Sequence, residues 1–348
     1  MERCGAQRGC PETCLFPTFS GLPAVNANST SLGYPACVMS PAVSIIIPTF
    51  RRPARAVEAA RSALAQADAA AFEVVLVDND PDGSALVPLR ALDDPRVVIL
   101  HEPRAGVANA RNAGLRVAKG ELIAFLDDDE IAPPRWLAEL MRVQAAEKAD
   151  VVFGPVLTRL AEPPRDHRAY FEEFFARDPG HAEGRIEQFY GCGCSLIRRA
   201  ALPRAEPFSV ERNETGGEDD LLFQAMDAAG GRFAWAPGAH VWEMPESSRV
   251  TLAYTLKRAF AYGQGPATQA WSGPKRDIPA IGFWMAVGLA QTVVFGAVAA
   301  GSYLGKTQNR AFAYRRFVEG VGKVLWFPAI KPRFYGVSRL PKVRPVVT

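Results

Sequence analysis

Three carboxylates in succession, Asp127-Asp128-Asp129, directly follow the apolar run Leu122-Ile123-Ala124-Phe125-Leu126. An apolar run of that length, rich in β-formers, reads as a buried strand. Its end lies at the rim of a sheet, where open α/β folds place their ligands. Alternation along a strand sets Asp127 and Asp129 on one side and Asp128 on the other. Two hard oxygen donors on one side suit a divalent ion that holds a phosphate group. The plainer alternative is an acidic turn that solvates the strand end. Three unpaired carboxylates repel unless a cation compensates, which favours metal or nucleotide binding.

Other strand ends carry similar groups. Residues 43–47 form a first apolar run, closed by Pro48-Thr49, and residues 73–77 a second, closed by Asp78-Asn79-Asp80-Pro81-Asp82-Gly83. Asp78 and Asp80 can accept hydrogen bonds from a base or ribose, or form an Asx turn that Pro81 and Gly83 support. Thr49, Asp78 and Asp127 thus present polar groups on one sheet edge.

Arg111 lies within the helical apolar stripe Val107, Ala110, Gly114, Leu115 and Ala118, where an unpaired guanidinium is costly. Either it pairs with a buried carboxylate or it reaches a ligand phosphate. Gly216-Gly217-Glu218-Asp219-Asp220 opens a helix. Acids are favoured there by the dipole and one can cap it. Three exceed what a cap requires, so one can serve as general base toward an acceptor hydroxyl.

Several other chemistries lack their residues. Gly191-Cys192-Gly193 has no third glycine for a dinucleotide fingerprint, and no phosphate-loop lysine motif occurs. Cys192 and Cys194 have no Cys or His metal partner close in sequence. The four histidines are scattered and form no hydrolase triad.

The elements that must position these groups alternate in type. Strands are predicted at 43–47, 73–77, 97–100, 122–126 and 151–153. Helices are predicted at 55–67 (stripe Val57, Ala60, Leu64, Ala67), from Val107 to Ala118, around Leu137, Leu140 and Met141, and through Leu222, Ala225, Met226 and Ala229. Gly230-Gly231 stops the last. Residues 162–189, rich in aromatics and Pro, read as mobile, and 191–199 as a turn followed by a strand. Such alternation argues for an α/β fold with a mostly parallel sheet.

The chain has 348 residues, 48% hydrophobic and 22% charged, enough for a globular core. Its net charge of +3 is uneven: residues 305–348 carry ten Lys and Arg beside the single acid Glu319, leaving 30 basic against 36 acidic residues elsewhere. That polarity suggests a negatively charged partner for the tail. Residues 1–40 hold four of the six cysteines without periodicity and read as a disordered extension. Translation from Met39 is an expectation that intact-mass measurement tests. With no secretory signal and no paired-cysteine framework, the body is expected in the cytosol.

Taken in order, these motifs resemble the inverting, GT-A-fold glycosyltransferase family 2. The first two strands, Gly106-Val107-Ala108-Asn109-Ala110-Arg111-Asn112-Ala113-Gly114, the DxD element Asp127-Asp128-Asp129 and Gly217-Glu218-Asp219 carry the likeness. The resemblance implies a nucleotide-sugar donor, most commonly a UDP-sugar, and a glycan or polyprenyl-linked acceptor, in exopolysaccharide or cell-envelope synthesis. It assigns Pro48, Thr49, Asp78, Asp80, Arg111, Asp127 and Asp128 to the donor, and Asp129 to Mg²⁺ or Mn²⁺. Asp219 becomes the base, with Gly217, Glu218, Glu243 and Arg258 on the acceptor side. Glu243 stands where other members carry His, and Cys194 where Asn is common. A metal-dependent nucleotidyltransferase of sugar phosphates is the alternative.

The implied organisation is a GT-A domain over 41–265, nucleotide half 41–130 and acceptor half 131–265, followed by a helical, basic, membrane-associated region over 266–348. Residues 278–304 carry no charge and are long enough to cross a bilayer, with Trp284 and Tyr303 near the ends. One crossing would export the basic tail, against the positive-inside preference. Gly288, Gly296 and Gly301 permit a re-entrant or interfacial hairpin instead; a buried helix pair is the plain alternative. Attachment to an anionic membrane at its cytoplasmic face is expected, and nucleic acid is not expected as a partner.

Overall fold

Val- and Ile-rich runs become strands, and the segments between them become helices, in a computed structural model that describes residues 40–162, 164–213, 216–272, 275–305 and 310–332. The extension expected over 1–40, apart from its last residue, and the basic tail past 332 lie outside the described residues. In chain order come β1 (Val43–Thr49), α1 (Pro53–Leu64), β2 (Phe72–Asp78), α2 (Leu86–Arg90), β3 (Val97–His101), α3 (Val107–Val117), β4 (Leu122–Phe125), β5 (Glu130–Ile131) and α4 (Trp136–Glu147). Then follow β6 (Val151–Phe153), β7 (Val156–Thr158), α5 (Arg168–Phe175), β8 (Gly184–Ile186), β9 (Ser195–Arg198), α6 (Glu218–Ala228), β10 (Phe233–Trp235) and β11 (Val241–Glu243). Three helices close the described chain: α7 (Leu252–Ser272), α8 (Ile278–Leu304) and α9 (Arg310–Val324).

An eight-stranded sheet has the order β3-β2-β1-β4-β9-β6-β10-β8. Six strands run one way, while β9 and β8 oppose them. The strand expected within 191–199 is β9. A small sheet, β5-β11-β7, stands beside the large one. Residues of β1 alternate between two cores: Ile45 and Ile47 pack with α1 and α4, Ile46 with α3 and α6. Helix α1 buries Ala56, Ala59, Ala60 and Ala63, with Val57 and Leu64 of the predicted stripe packed at the edge of the same core and Ala67 exposed past its end. Small side chains let it lie close to the sheet.

Two expectations are corrected. Residues 162–189 contain α5 and the edge strand β8, because their aromatics are used in packing. Tyr170 meets Phe312 of α9, Phe174 meets Tyr262 of α7, and Phe175 stacks on Tyr254. Nor does α8 break into a hairpin at its glycines: it is one helix of 27 residues. Gly288 serves close packing instead, since a Cβ there would lie 2.8 Å from the Gly320 carbonyl oxygen of α9.

Candidate active site

Strand register brings the first groups together. Thr49 pairs with Asp78 across β1 and β2, and Ile46 with Phe125 across β1 and β4. Three residues further along that register, Thr49 faces residue 128, and its hydroxyl donates to Asp128 Oδ2 at 2.8 Å. Pro48 lies within β1 one residue before it.

The acidic triplet does not alternate as a strand would. The strand ends at Phe125, and residues 128 and 129 lie in a turn. Asp128 and Asp129 therefore share one guanidinium, with Arg52 Nη1 3.0 Å from an oxygen of each, while Arg249 reaches Asp129 at 3.3 Å. Asp127 faces elsewhere, 3.4 Å from Arg111 Nη2, and is the most exposed of the three. The expected grouping of Asp127 with Asp129 is thus replaced by Asp128 with Asp129. Burial and the neighbouring Asp129 push Asp128 up to about 6, against the pull of Arg52. Burial also raises Asp129, opposed by Arg52.

Of the two partners open to Arg111 in the sequence, the structure supplies the carboxylate. Its Nη1 donates to Glu218 Oε1 at 2.6 Å, and both side chains are buried. The guanidinium also lies over the rings of Phe208 and Phe125. Burial pushes Glu218 up to about 7 against the attraction of Arg111. This pair joins the first turn of α6 to α3, across 107 residues of chain, and the weaker Arg111 contact with Asp127 extends the link to the end of β4.

Asp219 follows on α6, which begins after the left-handed Gly217 (φ 85°). Asp219 Oδ2 accepts from the Cys192 N–H at 3.0 Å, and Oδ1 from the Asp220 N–H at 3.0 Å. The loop 191–194 thus lies between the two groups of acids. A Cβ on Gly191 would be 3.3 Å from Asp219 Oδ2, and one on Gly193 would be 2.8 Å from Asp127 Oδ2 and 2.7 Å from Glu130 Oε1. Arg177 pins this loop through the Gly193 carbonyl. Cys194 is left-handed (φ 55°), a conformation that Asn tolerates better than most residues.

Asp78 is fully buried and holds its own turn, accepting from Asp80 N–H at 3.1 Å and Ala85 N–H at 2.7 Å. Both the Asx-turn geometry and a place at the sheet edge are therefore realised. Asp80 accepts from Arg51 Nε at 3.1 Å. Although burial opposes ionisation, hydrogen bonds from Ser84 and Arg51 hold it below the usual carboxylate range. Glu243 stands opposite Glu130 in the small sheet. Burial and Asp129 push it up to about 8, and burial with Asp127 raises Glu130 well above the usual range. Arg258 lies on α7 and donates to the Tyr262 hydroxyl at 2.9 Å.

Sequence reasoning missed Arg51, Arg52, Glu130, Arg177 and Arg249. The pair Arg51-Arg52 directly follows the polar end of β1 and was legible as a counter-charge; Arg249, 120 residues from its acid, had no local signal.

The donor chemistry suits a hard divalent cation. Acids at 127, 128, 129, 130, 218 and 243 outnumber Arg52, Arg111, Arg177 and Arg249, and the carboxyls at 128, 129, 130, 218 and 243 are raised by burial first and by neighbouring acids second. No three side chains among the described residues form a complete ligand set. A cation here would be held by one or two carboxylates and completed by ligand phosphates and water.

The chain matches the family model described as Glycosyl transferase family 2 over residues 44–204. It is 34% identical over 228 residues to the succinoglycan biosynthesis protein ExoM of Rhizobium meliloti, covering 64% of this chain and 73% of that protein. To the succinoglycan biosynthesis protein ExoO of the same organism it is 28% identical over 225 residues, covering 62% of this chain and 64% of that protein. Among solved structures it resembles the mannosyltransferase PcManGT from Pyrobaculum calidifontis, in complex with GDP-Man and Mn²⁺. The TM-score is 0.55 at 20% identity, covering 83% of this chain and 88% of that one, a likeness of fold.

Proposed function

The chain belongs to glycosyltransferase family 2 and is a glycosyltransferase, and we propose that it transfers a sugar from a nucleotide-sugar donor to a glycan or polyprenyl-linked acceptor in exopolysaccharide synthesis. The succinoglycan relatives support the pathway class. The observation that carries the mechanism is the meeting of Asp127 and Asp219 about one loop, residues 191–194, with Arg111 and Glu218 tying their segments together.

On this reading the nucleoside lies at the ends of β1 and β2, beside Pro48, Thr49, Asp78 and Asp80. The diphosphate lies toward Asp127 and Asp128, with Arg111 behind them. Asp129 would hold Mg²⁺ or Mn²⁺, which when bound supplies positive charge against the leaving diphosphate. Asp219, oriented by two backbone N–H groups, accepts the proton of the acceptor hydroxyl as that oxygen bonds to the anomeric carbon. The anomeric carbon–oxygen bond breaks on the far side, and its electron pair leaves with the nucleoside diphosphate. One displacement inverts the centre. Gly217, Glu218, Glu243 and Arg258 border the acceptor side, and the enzyme works at the cytoplasmic face of an anionic membrane.

The test is nucleotide release across a panel of sugar nucleotides, with polyprenyl-diphosphate acceptors and with or without EDTA. Turnover should require the metal. Asp219→Asn should lower kcat about 10²–10⁴-fold while donor binding, read by calorimetry, persists. Full turnover in that variant removes Asp219 from the base role.

A further inference from the structure

Helix α8 turns one face away from the rest of the protein. Phe283, Leu289, Val293, Val294 and Val298 are 47–66% exposed and recur at helical spacing. The exposed Gly282, Ala286, Ala290 and Ala297 share this face, which carries no polar side chain over about 25 Å of helix. The polar residues Gln291, Thr292 and Ser302 lie on the partly buried side. Gln291 Nε2 donates to the Arg316 carbonyl at 2.6 Å and Gln291 Oε1 accepts from Lys323 Nζ at 3.0 Å. A contiguous apolar face of this extent marks a surface that something covers.

The rim of the face points to a bilayer. At the N-terminal end of α8, Ile281 packs with Trp326 and Trp271, the Trp326 ring stacks with Phe327, and Arg276 lies 4.0 Å over Trp271. Phe327 and Ile330 are about half exposed there, beside the exposed Lys275 and Arg276. Tryptophan and basic residues around an apolar face suit the headgroup level of a membrane with anionic lipid.

The neighbour of α8 fixes its orientation. Helix α9 runs antiparallel to it: Gly288 lies against Lys323, Phe295 against Arg316, and Gly296 against Phe317. Arg316, 55% exposed, and Lys323 therefore stand level with the middle of α8. If α8 crossed the bilayer, both cations would sit near the midplane, a costly place for charge. If α8 lies flat, they remain on the water side. On the premise of the membrane attachment read above, we propose that α8 lies in the plane of one leaflet with its outward face down. Helix α9 is stacked over it, and the catalytic body and both ends of α8 are on the same side.

The test uses the full chain with Cys4, Cys10, Cys14 and Cys37 replaced by Ser, alongside an identically labelled control lacking new cysteines. Phe283→Cys, Val293→Cys and Val298→Cys each receive an environment-sensitive fluorophore. The proteins are added to vesicles of phosphatidylethanolamine and phosphatidylglycerol that carry quenchers at known acyl depths. Expected is the same shallow depth at all three positions, about 5–10 Å below the headgroups. A deep Val293→Cys signal, near the middle of the ~30 Å hydrocarbon core, with shallower signals at the other two would overturn the in-plane placement and leave membrane attachment standing. Absence of quenching at every position, with dimers in sedimentation, would overturn both and assign the face to a second copy. Nucleotide release by the same samples reports separately on glycosyl transfer.

Discussion

Replacing Arg111 with Met tests how the two halves of the site are held together. The guanidinium lies 2.6 Å from Glu218 Oε1, and each side chain is only 6% exposed, so water screens the pair little. Removing one partner of a buried pair costs about 3–5 kcal/mol. The contact with the more exposed Asp127 adds little; stacking on Phe208 and Phe125 adds roughly 0.5–1 kcal/mol. Arg111→Met should therefore lose about 4 kcal/mol at pH 8, read as the change in urea midpoint at constant m. The thermal midpoint should fall by about 8 °C, at about 2 °C per kcal/mol for a chain of this size. The loss should shrink at lower pH. Glu218 is already pushed up to about 7, and without Arg111 it rises further. A carboxyl raised in the folded state stabilises below its unfolded value and loses that contribution as pH rises through the folded value. The variant should thus be nearer to wild type at pH 5.5 than at pH 8. Arg111→Met/Glu218→Met, which removes both charges, should recover most of the loss. A loss below about 1 kcal/mol at pH 8, or a double variant no better than the single one, refutes the buried pair as the clasp.

Asp129→Asn should abolish most EDTA-sensitive turnover while circular dichroism stays unchanged; retained metal-dependent activity moves the cation elsewhere. Glu243, pushed up to about 8 from an ordinary 4.5, holds a proton in the folded chain that the unfolded chain has lost, so it costs stability as pH rises across that window. Glu243→Gln cannot titrate and should lose less stability between pH 5.5 and 8 than wild type in paired denaturation curves; equal pH slopes count against the shift. Gly320→Leu should lower stability by about 1–3 kcal/mol, because a Cβ there already lies 2.7 Å from Thr292 Oγ1 and 2.8 Å from its backbone nitrogen. Thermal unfolding reads that loss, and a neutral result means α8 and α9 are looser than described.

The large sheet was legible because its strands are continuous apolar runs and its helices carry stripes, both local properties. The failures were non-local. Nothing within 162–189 announces that Tyr170, Phe174 and Phe175 find partners on α7 and α9, which lie far along the chain. The glycines of α8 read as hinges, since a glycine needed for close approach and one needed for a bend look alike without the neighbouring helix. Side-chain alternation at Asp127-Asp128-Asp129 failed for a simpler reason: the strand ends two residues before the triplet.

Every acid of the cluster except Glu130 was legible in the sequence; what holds them was not. Crowding of three carboxylates calls for positive charge, and the protein supplies guanidinium first: Arg52 bridges Asp128 and Asp129, Arg249 adds to Asp129, and Arg111 serves Asp127 and Glu218. Crowding alone therefore does not establish a metal. The stronger ground is the remainder. Glu130 and Glu243 face each other across the small sheet, no ion pair among those described reaches either, and both are raised by burial and neighbouring acids. Arginines hold the rim, while the floor of the cluster keeps an excess of negative charge that burial alone would not sustain in ionised form. Such an excess either binds protons or is relieved by added positive charge. For that reason donor binding should become tighter with metal as pH rises and Glu243 and Asp128 ionise, a dependence that a site neutralised by arginine alone would lack.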